Sequence, residues 1–139
     1  MLRSIFRVFL DLYVSLYRRT RGKFGNKVQG LRVLLLTTTG KKSGKARTTP
    51  LGFFEDNNAY VIIASNGGMN SHPAWFHNLR NDPRVTVEIG DKKFQARAMV
   101  ADPTNRARFW ARLIELAPSY NRYAKRTRRE IPMVILQPL

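Results

Sequence analysis

The sequence contains no cysteine. Disulfides and thiolate-bound metals are thereby excluded, and two histidines are too few to suggest a dedicated metal site. Acidic residues are also scarce: 9 against 25 lysines and arginines, a formal net charge of +16. The first fifty residues hold twelve of those cations and one acid, Asp11. Such an imbalance calls for an anionic partner, whether nucleic acid, anionic lipid or a polyanionic small molecule, without choosing among them. Nor is there an apolar run of the roughly 20 residues that a membrane-spanning helix needs. The most apolar stretch, at the N-terminus, is shorter and is interrupted by Arg7 and Asp11. It lacks a small-residue cleavage site, which argues against a secretory signal. What is present is a 139-residue chain of ordinary apolar content, enough for one domain around one core.

The stretch RSIFRVFLDLYVSLYRR has helical period, with Arg3, Arg7, Asp11, Ser15 and Arg18 marking one narrow polar stripe. Two roles suit it. One is a helix lying in a membrane surface, its basic flank RRTRGK gripping anionic head groups. The other is a helix whose wide apolar face covers the rest of the protein or a partner subunit. Residues 1–23 are accordingly set apart as an amphipathic basic helix, and residues 24–139 as the main domain.

In that domain a near-continuously apolar strand is expected at 31–39, central because both faces are apolar. A hairpin follows over 48–65, turning at Asn57 and Asn58, which tolerate positive φ. Gly67-Gly68 breaks the second strand. Pro73 suits the first turn of a helix capped by Ser71 or His72, which stops before Asp82-Pro83. RVTVEIGDKKFQARAMV alternates around Gly90-Asp91 as another hairpin. Asp102-Pro103 opens a helix over 104–117, Pro118 ends it, and PMVILQ makes a last strand. About six strands in successive hairpins, without regular strand–helix alternation, predict an antiparallel barrel of the α+β (mainly β) class. No internal repeat or low-complexity linker appears.

Three stretches carry candidate chemistry. In LLLTTTGKKSGKARTTPL, Gly40 and Gly44 bracket a loop with Lys41, Lys42, Lys45 and Arg47. It is not a nucleotide phosphate loop: the glycine spacing is wrong, Ala46 follows Lys45, and a strand follows rather than a helix. It nevertheless offers backbone amides, point charges, the Ser43 hydroxyl and the arginine fork to an anion. ASNGGMNSHPAWFHNL supplies a strand end and a helix N-terminus, with Trp75 and Phe76 suited to wall an aromatic ring or to fill the core. His72 and His77 are five apart, not on one helical face, and read as a polar neighbour and a surface residue. APSYNRYAKRTRR presents Tyr120 and Tyr123 on one turn. No serine–histidine–acid set or carboxylate pair stands out, so hydrolysis has no visible machinery.

In this order, LLLTTTGKKSGKARTTPL, IASNGG with HPAWFHNL and DPRV, and PSYNRYAKRTRREIPMVIL resemble the deazaflavin-dependent nitroreductases, also described as quinone reductases using coenzyme F-420. The resemblance spans about residues 25–139. It implies a split β-barrel that binds a reduced 8-hydroxy-5-deazaflavin, whose lactyl phosphate and polyglutamate tail are anionic. On that likeness Lys41, Lys42, Ser43, Gly44 and Arg47 grip the phosphate and Lys45 reaches the tail. The Thr49-Pro50-Leu51 backbone lies along the ring system, and Ser65, Asn66, Gly67, Gly68, Ala74 and Trp75 close over it. Tyr120 and Tyr123 match positions lining the acceptor pocket, and a tyrosine hydroxyl or Ser65 would donate to the oxygen of a quinone or nitro compound. Some relatives carry an aromatic where this chain has Gly52, so a wider acceptor pocket is expected. A flavin mononucleotide barrel is the enzymatic rival; nucleic-acid and anionic-lipid binding are the rivals from other classes. The expected location is the cytoplasm, peripheral to the inner face of the membrane.

Overall fold

The computed structural model of the protein describes residues 2–139. Met1, which opens the expected 1–23 helix, and the side chain of Arg3 lie outside the described residues. The chain runs α1 (Leu2–Arg19), β1 (Lys27–Val28), β2 (Leu31–Thr39), β3 (Ala46–Asp56), β4 (Ala59–Ile63), a single 3-10 turn (Asn66–Gly68) and α2 (Ala74–Asn81). It continues through β5 (Arg84–Ile89), β6 (Lys92–Val100), α3 (Pro103–Leu116), α4 (Tyr120–Arg126) and β7 (Met133–Pro138).

The strands pair antiparallel in the order β2-β3-β4-β7-β6-β5, and β5 pairs back onto β2. Closure makes a six-stranded barrel, and β1 extends the edge of β2 beside that closing seam. Period-two patterning explains the barrel: Val85 and Val87 of β5 are buried while Arg84 is exposed. Leu34, Leu36, Phe53, Ile62, Val134 and Leu136 fill the interior with them. β2 is apolar on both faces for a different reason. Leu34 and Leu36 point into the barrel, whereas Val33 and Leu35 pack beneath Val14 and Tyr17 of α1. A second cluster, built on Leu31, Phe54, Phe109, Leu113 and Tyr120, joins α3 and α4 to the outer face of the sheet.

The turn signals hold at particular residues. Asn57 and Asn58 sit at φ 48° and 64°, and Asp102 accepts the Asn105 amide at 2.8 Å to cap α3. Three details differ from expectation. Neither Ser71 nor His72 caps α2; Pro73 holds the cap position in extended conformation and contributes no side-chain bond. β3 begins two residues earlier than expected, because its pairing with β2 continues to Ala46 opposite Thr39. β1, only two residues long, carries too little pattern to be seen in sequence.

α1 divides into two halves. Tyr17 is 1% exposed; its hydroxyl donates to the Val33 carbonyl at 2.9 Å and accepts from the Gly90 amide at 2.9 Å. Ile5, Phe6, Val8, Phe9 and Leu12, in the N-terminal half, are each more than half exposed. The helix thus covers the barrel with its last turns and presents the rest outward. No helix among the described residues is long and apolar enough to cross a membrane.

Candidate functional site

The site is built along β3. At its N-terminal end lies the basic loop, in which residues 41–47 are all exposed. The loop closes on itself: the Gly40 amide donates to Lys45 and the Gly44 amide to Gly40, both at 2.8 Å, with Gly44 at φ 68°. Ser43 Oγ accepts the Lys45 amide at 3.2 Å. A residue that sequence patterning passed over ties the loop down. Asn78, 8% exposed on α2, accepts the Lys41 amide through Oδ1 at 3.0 Å and donates through Nδ2 to Thr38 at 3.1 Å. Its signal is a polar side chain on the buried face of a helix. The result is a pre-shaped rim of four cations with almost no structural obligations, suited to phosphate and carboxylate.

From that loop β3 runs beneath α1 toward α4. Leu51 and Phe53 pack with the barrel interior, and Phe54 packs with the α3–α4 cluster. Alternation therefore turns Thr48, Pro50 and Gly52 to the outer face. Thr48 shares a 2.8 Å hydrogen bond with Thr37 and lies 3.5 Å from Arg18 Nη2. Arg18 itself is held by Glu88 at 2.8 Å, a contact that raises its pKa. From Arg47 to Gly52 is five residues, about 17 Å of strand. That length joins the cationic rim to the tyrosines.

Tyr120 and Tyr123 meet there, ring centroids 5.3 Å apart and edge to face. Tyr120 is 7% exposed, and burial, reinforced by Tyr123, pushes its pKa up to about 12. Its hydroxyl stands 3.3 Å from the point a Cβ on Gly52 would occupy, and Leu31 Cδ1 stands 3.0 Å from it. The space over Gly52 is therefore occupied by these two side chains rather than left as an enlarged pocket. Tyr123 Oη accepts from Gln29 Nε2 at 2.5 Å, so the β1–β2 turn reaches the same spot.

The Ser65–Gly68 turn closes the site from the other side. Gly68, at φ 80°, lies so close to α4 that a Cβ would meet Tyr123 Cα, Tyr123 O and Arg126 Cβ, each at 3.1 Å. Asn66 braces the turn by donating to the Ser71 carbonyl at 2.9 Å. The larger brace is Arg129, hidden in sequence inside a run of charges. Its guanidinium donates to the carbonyls of Ser65, Met69 and Ala64 at 2.8, 2.9 and 3.1 Å, and to His72 Nδ1 at 2.9 Å. Because arginine only donates, His72 Nδ1 must accept, which makes the ring neutral with its proton on Nε2. Burial first, then Arg129, His77 and Arg80, lower the His72 pKa.

Ala74 opens α2 exposed, whereas Trp75 and Phe76 belong to the barrel core at 7% and 3% exposure. The three stretches are thus brought around one strand: the basic loop through Asn78 and α2, the glycine turn through Arg129 and α4.

The profile of the F420H(2)-dependent quinone reductase family matches residues 10–138, almost all of this fold. The chain belongs to that family. It is an oxidoreductase that uses reduced coenzyme F-420 and passes hydride to a quinone-type acceptor. A family member from Mycobacterium tuberculosis (strain H37Rv), an F420H(2)-dependent quinone reductase, is 40% identical over 131 residues, covering 91% of this chain and 88% of its own length. A solved F420-H2 dependent reductase superposes with a TM-score of 0.69 at 39% identity, covering 76% of this chain and 93% of its own. A solved domain-swapped dimer gives a TM-score of 0.72 at 33% identity, over 91% of this chain and 95% of its own. The family's split barrel is the barrel described above.

Proposed function

We propose that this quinone reductase binds its cofactor along the outer face of β3, phosphate at the basic loop and ring system toward Tyr120. The observation that carries this is the single strand joining an exposed four-cation rim to the buried Tyr120 and half-buried Tyr123. The donor set suits the group: Lys41, Lys42, Lys45 and Arg47 complement phosphate and carboxylates, with Ser43 and the Gly44 turn shaping the rim. Reduced F-420, when bound, supplies the hydride. The backbone of Thr49, Pro50 and Leu51 orients the ring system, and Ser65, Asn66, Gly67, Gly68, Ala74 and Trp75 close over it and restrict water.

The acceptor enters beside α4. Tyr123 Oη, already accepting from Gln29, has its own proton free to donate to a carbonyl oxygen, which makes it the better proton donor of the pair. Tyr120, held protonated by burial, orients the acceptor by hydrogen bonding; Ser65 is the alternative donor. Quinones are the acceptors favoured here, with planar, electron-poor nitro compounds as second acceptors.

The outward half of α1 suggests where the reaction takes place. Residues 1–23 serve as an attachment element on the barrel domain of 24–139, holding a cytoplasmic enzyme against the inner membrane surface where lipid-soluble quinones concentrate. Support comes from the exposed apolar half-helix and the cations that follow it.

Fluorescence titration with F-420, run beside flavin mononucleotide, tests the cofactor assignment. Saturable binding of F-420 with quinone-dependent oxidation of its reduced form is expected. Micromolar binding of flavin mononucleotide with no response to F-420 would sink it.

A further inference from the structure

At the end of the barrel opposite the basic loop, a cavity of about 460 Å³ opens among the C-terminal end of α1, β1 and the β5–β6 hairpin tip. Its size falls in the range of small-molecule sites. Five cations line it (Arg21, Lys23, Lys27, Arg32 and Lys92) against two acids, Glu55 and Asp91. Glu55 is engaged by Arg32 at 3.2 Å, which leaves four cations facing one acid. The floor is aromatic: Tyr60 and Phe94 meet with ring centroids 5.6 Å apart.

The walls are held rigidly. After α1 the chain reverses through Arg21 at φ 54° and Gly22 at φ 80°. Gly22 lies so close to the hairpin tip that a Cβ would fall 2.6 Å from Gly90 Cα. Tyr17 bonds both Gly90 and Val33, fixing helix, hairpin and β2 to one another. These contacts fix the backbone from which the cavity's cations project, so an anion entering it orders only their side chains.

Its surroundings choose the anion. The reversed chain runs back along α1, where Tyr13 bonds the Gly25 carbonyl and packs on Phe24 with ring centroids 5.8 Å apart. Phe24 (45%) is exposed there, as is Val28 (44%) on β1, and Phe9 (67%) and Phe6 (65%) are bare on the preceding turns of α1. An apolar wedge beside a cationic cavity matches the two levels of a bilayer surface, acyl chain and head group. The cavity also lies away from the rim assigned to the cofactor, whose phosphate therefore does not compete for it. We infer that this cavity is a receptor for the phosphodiester head group of an anionic phospholipid, seated as the outward half of α1 enters the interface. The inference rests on the membrane reading above and adds to it a defined head-group site, in place of diffuse charge attraction.

The test uses the full chain and vesicles of phosphatidylglycerol or phosphatidylcholine. A triple variant, Lys23→Gln, Lys27→Gln and Lys92→Gln, removes three exposed cavity cations. A matched variant, Arg84→Gln, Arg97→Gln and Arg112→Gln, removes three exposed cations elsewhere. The expected result is partition onto phosphatidylglycerol that falls at least tenfold in the cavity variant and less than threefold in the matched one, with F-420 affinity unchanged in both. Equal losses in the two variants would overturn the head-group site while leaving the membrane reading intact. No vesicle binding by the unmodified chain at low salt would overturn both. Chemical-shift changes at Lys92 that saturate with inorganic phosphate and are absent with vesicles would overturn the lipid in favour of a free phosphate ligand.

Discussion

Gly52 and Tyr120 face each other across the acceptor side of the site, with the tyrosine hydroxyl 3.3 Å from where a Cβ on residue 52 would lie. That clearance is tighter than an ordinary carbon contact, and Leu31 is tighter still at 3.0 Å. Gly52→Ala must therefore push one or both aside. Overpacking of this kind costs about 1–3 kcal/mol. The expected outcome is a lowered melting temperature and a raised KM for quinone at unchanged F-420 affinity. Alanine tolerated with no change in either would show that Tyr120 is free to move.

At the other end of β3, Lys42→Ala and Arg47→Ala remove exposed charges that the fold does not need. Each charge-assisted contact contributes about 1.5–3 kcal/mol, so a tenfold or greater loss of F-420 affinity per site is expected at constant thermal stability. Asn78→Ala behaves differently, because it frees the Lys41 amide and Thr38 together: both affinity and stability fall. Fluorescence titration beside thermal denaturation separates the two patterns. An unchanged dissociation constant removes a residue from the grip.

Gln29 donates to Tyr123 Oη, which holds the phenol in place and leaves its proton to point elsewhere. Gln29→Leu is expected to lower kcat for quinone while F-420 affinity is retained, read by steady-state kinetics beside fluorescence titration. In a Tyr123→Phe background the same change should have no further effect on kcat. Tyr120→Phe should lower turnover with F-420 affinity retained. Full activity in both phenylalanine variants would assign proton delivery to Ser65 or solvent.

Two groups give the fold opposite pH responses. Tyr120 has a raised pKa, about 12 against an ordinary 10.0, so its share of stability is complete below pH 10 and is lost as pH rises toward 12. His72 has a pKa lowered from 6.5, so its share is complete above pH 6.5 and is lost as pH falls below that value. Protonation also sets a cation against Arg129 and ends their hydrogen bond. Urea titrations from pH 7.5 to 5 should show stability falling, with a shallower fall for His72→Gln. An identical slope in that variant would remove His72 from the response.

Two truncations separate the halves of α1. Removing residues 1–12 deletes exposed apolar side chains and should leave a folded, F-420-binding protein that no longer sediments with anionic vesicles. Removing residues 1–23 also deletes Tyr17 and Val14 from beneath β2, and loss of such a buried aromatic costs about 3–5 kcal/mol. The longer truncation should unfold at lower urea. Vesicle binding retained by the shorter one would end the attachment role of the helix.

What the amino-acid order determined by itself is local. Alternation at Val85 and Val87, the Asn57-Asn58 and Gly90 turns, and the Asp102 cap each depend on neighbours a few residues away, so strand, turn and helix positions were legible. The order of the three motif stretches was legible too, and with it the family and the basic rim. Tertiary structure decided what joins distant segments. Arg129 looked like one cation in a solvated run, yet it binds carbonyls 60 to 65 positions away; Gln29 meets Tyr123 across 94 positions. Barrel closure of β5 onto β2, the tethering of the basic loop by Asn78, and the split of α1 into a buried and a bare half have the same origin. Periodicity records which face of a segment is apolar. What covers that face, and which polar group finds its partner, depends on where the chain returns in space.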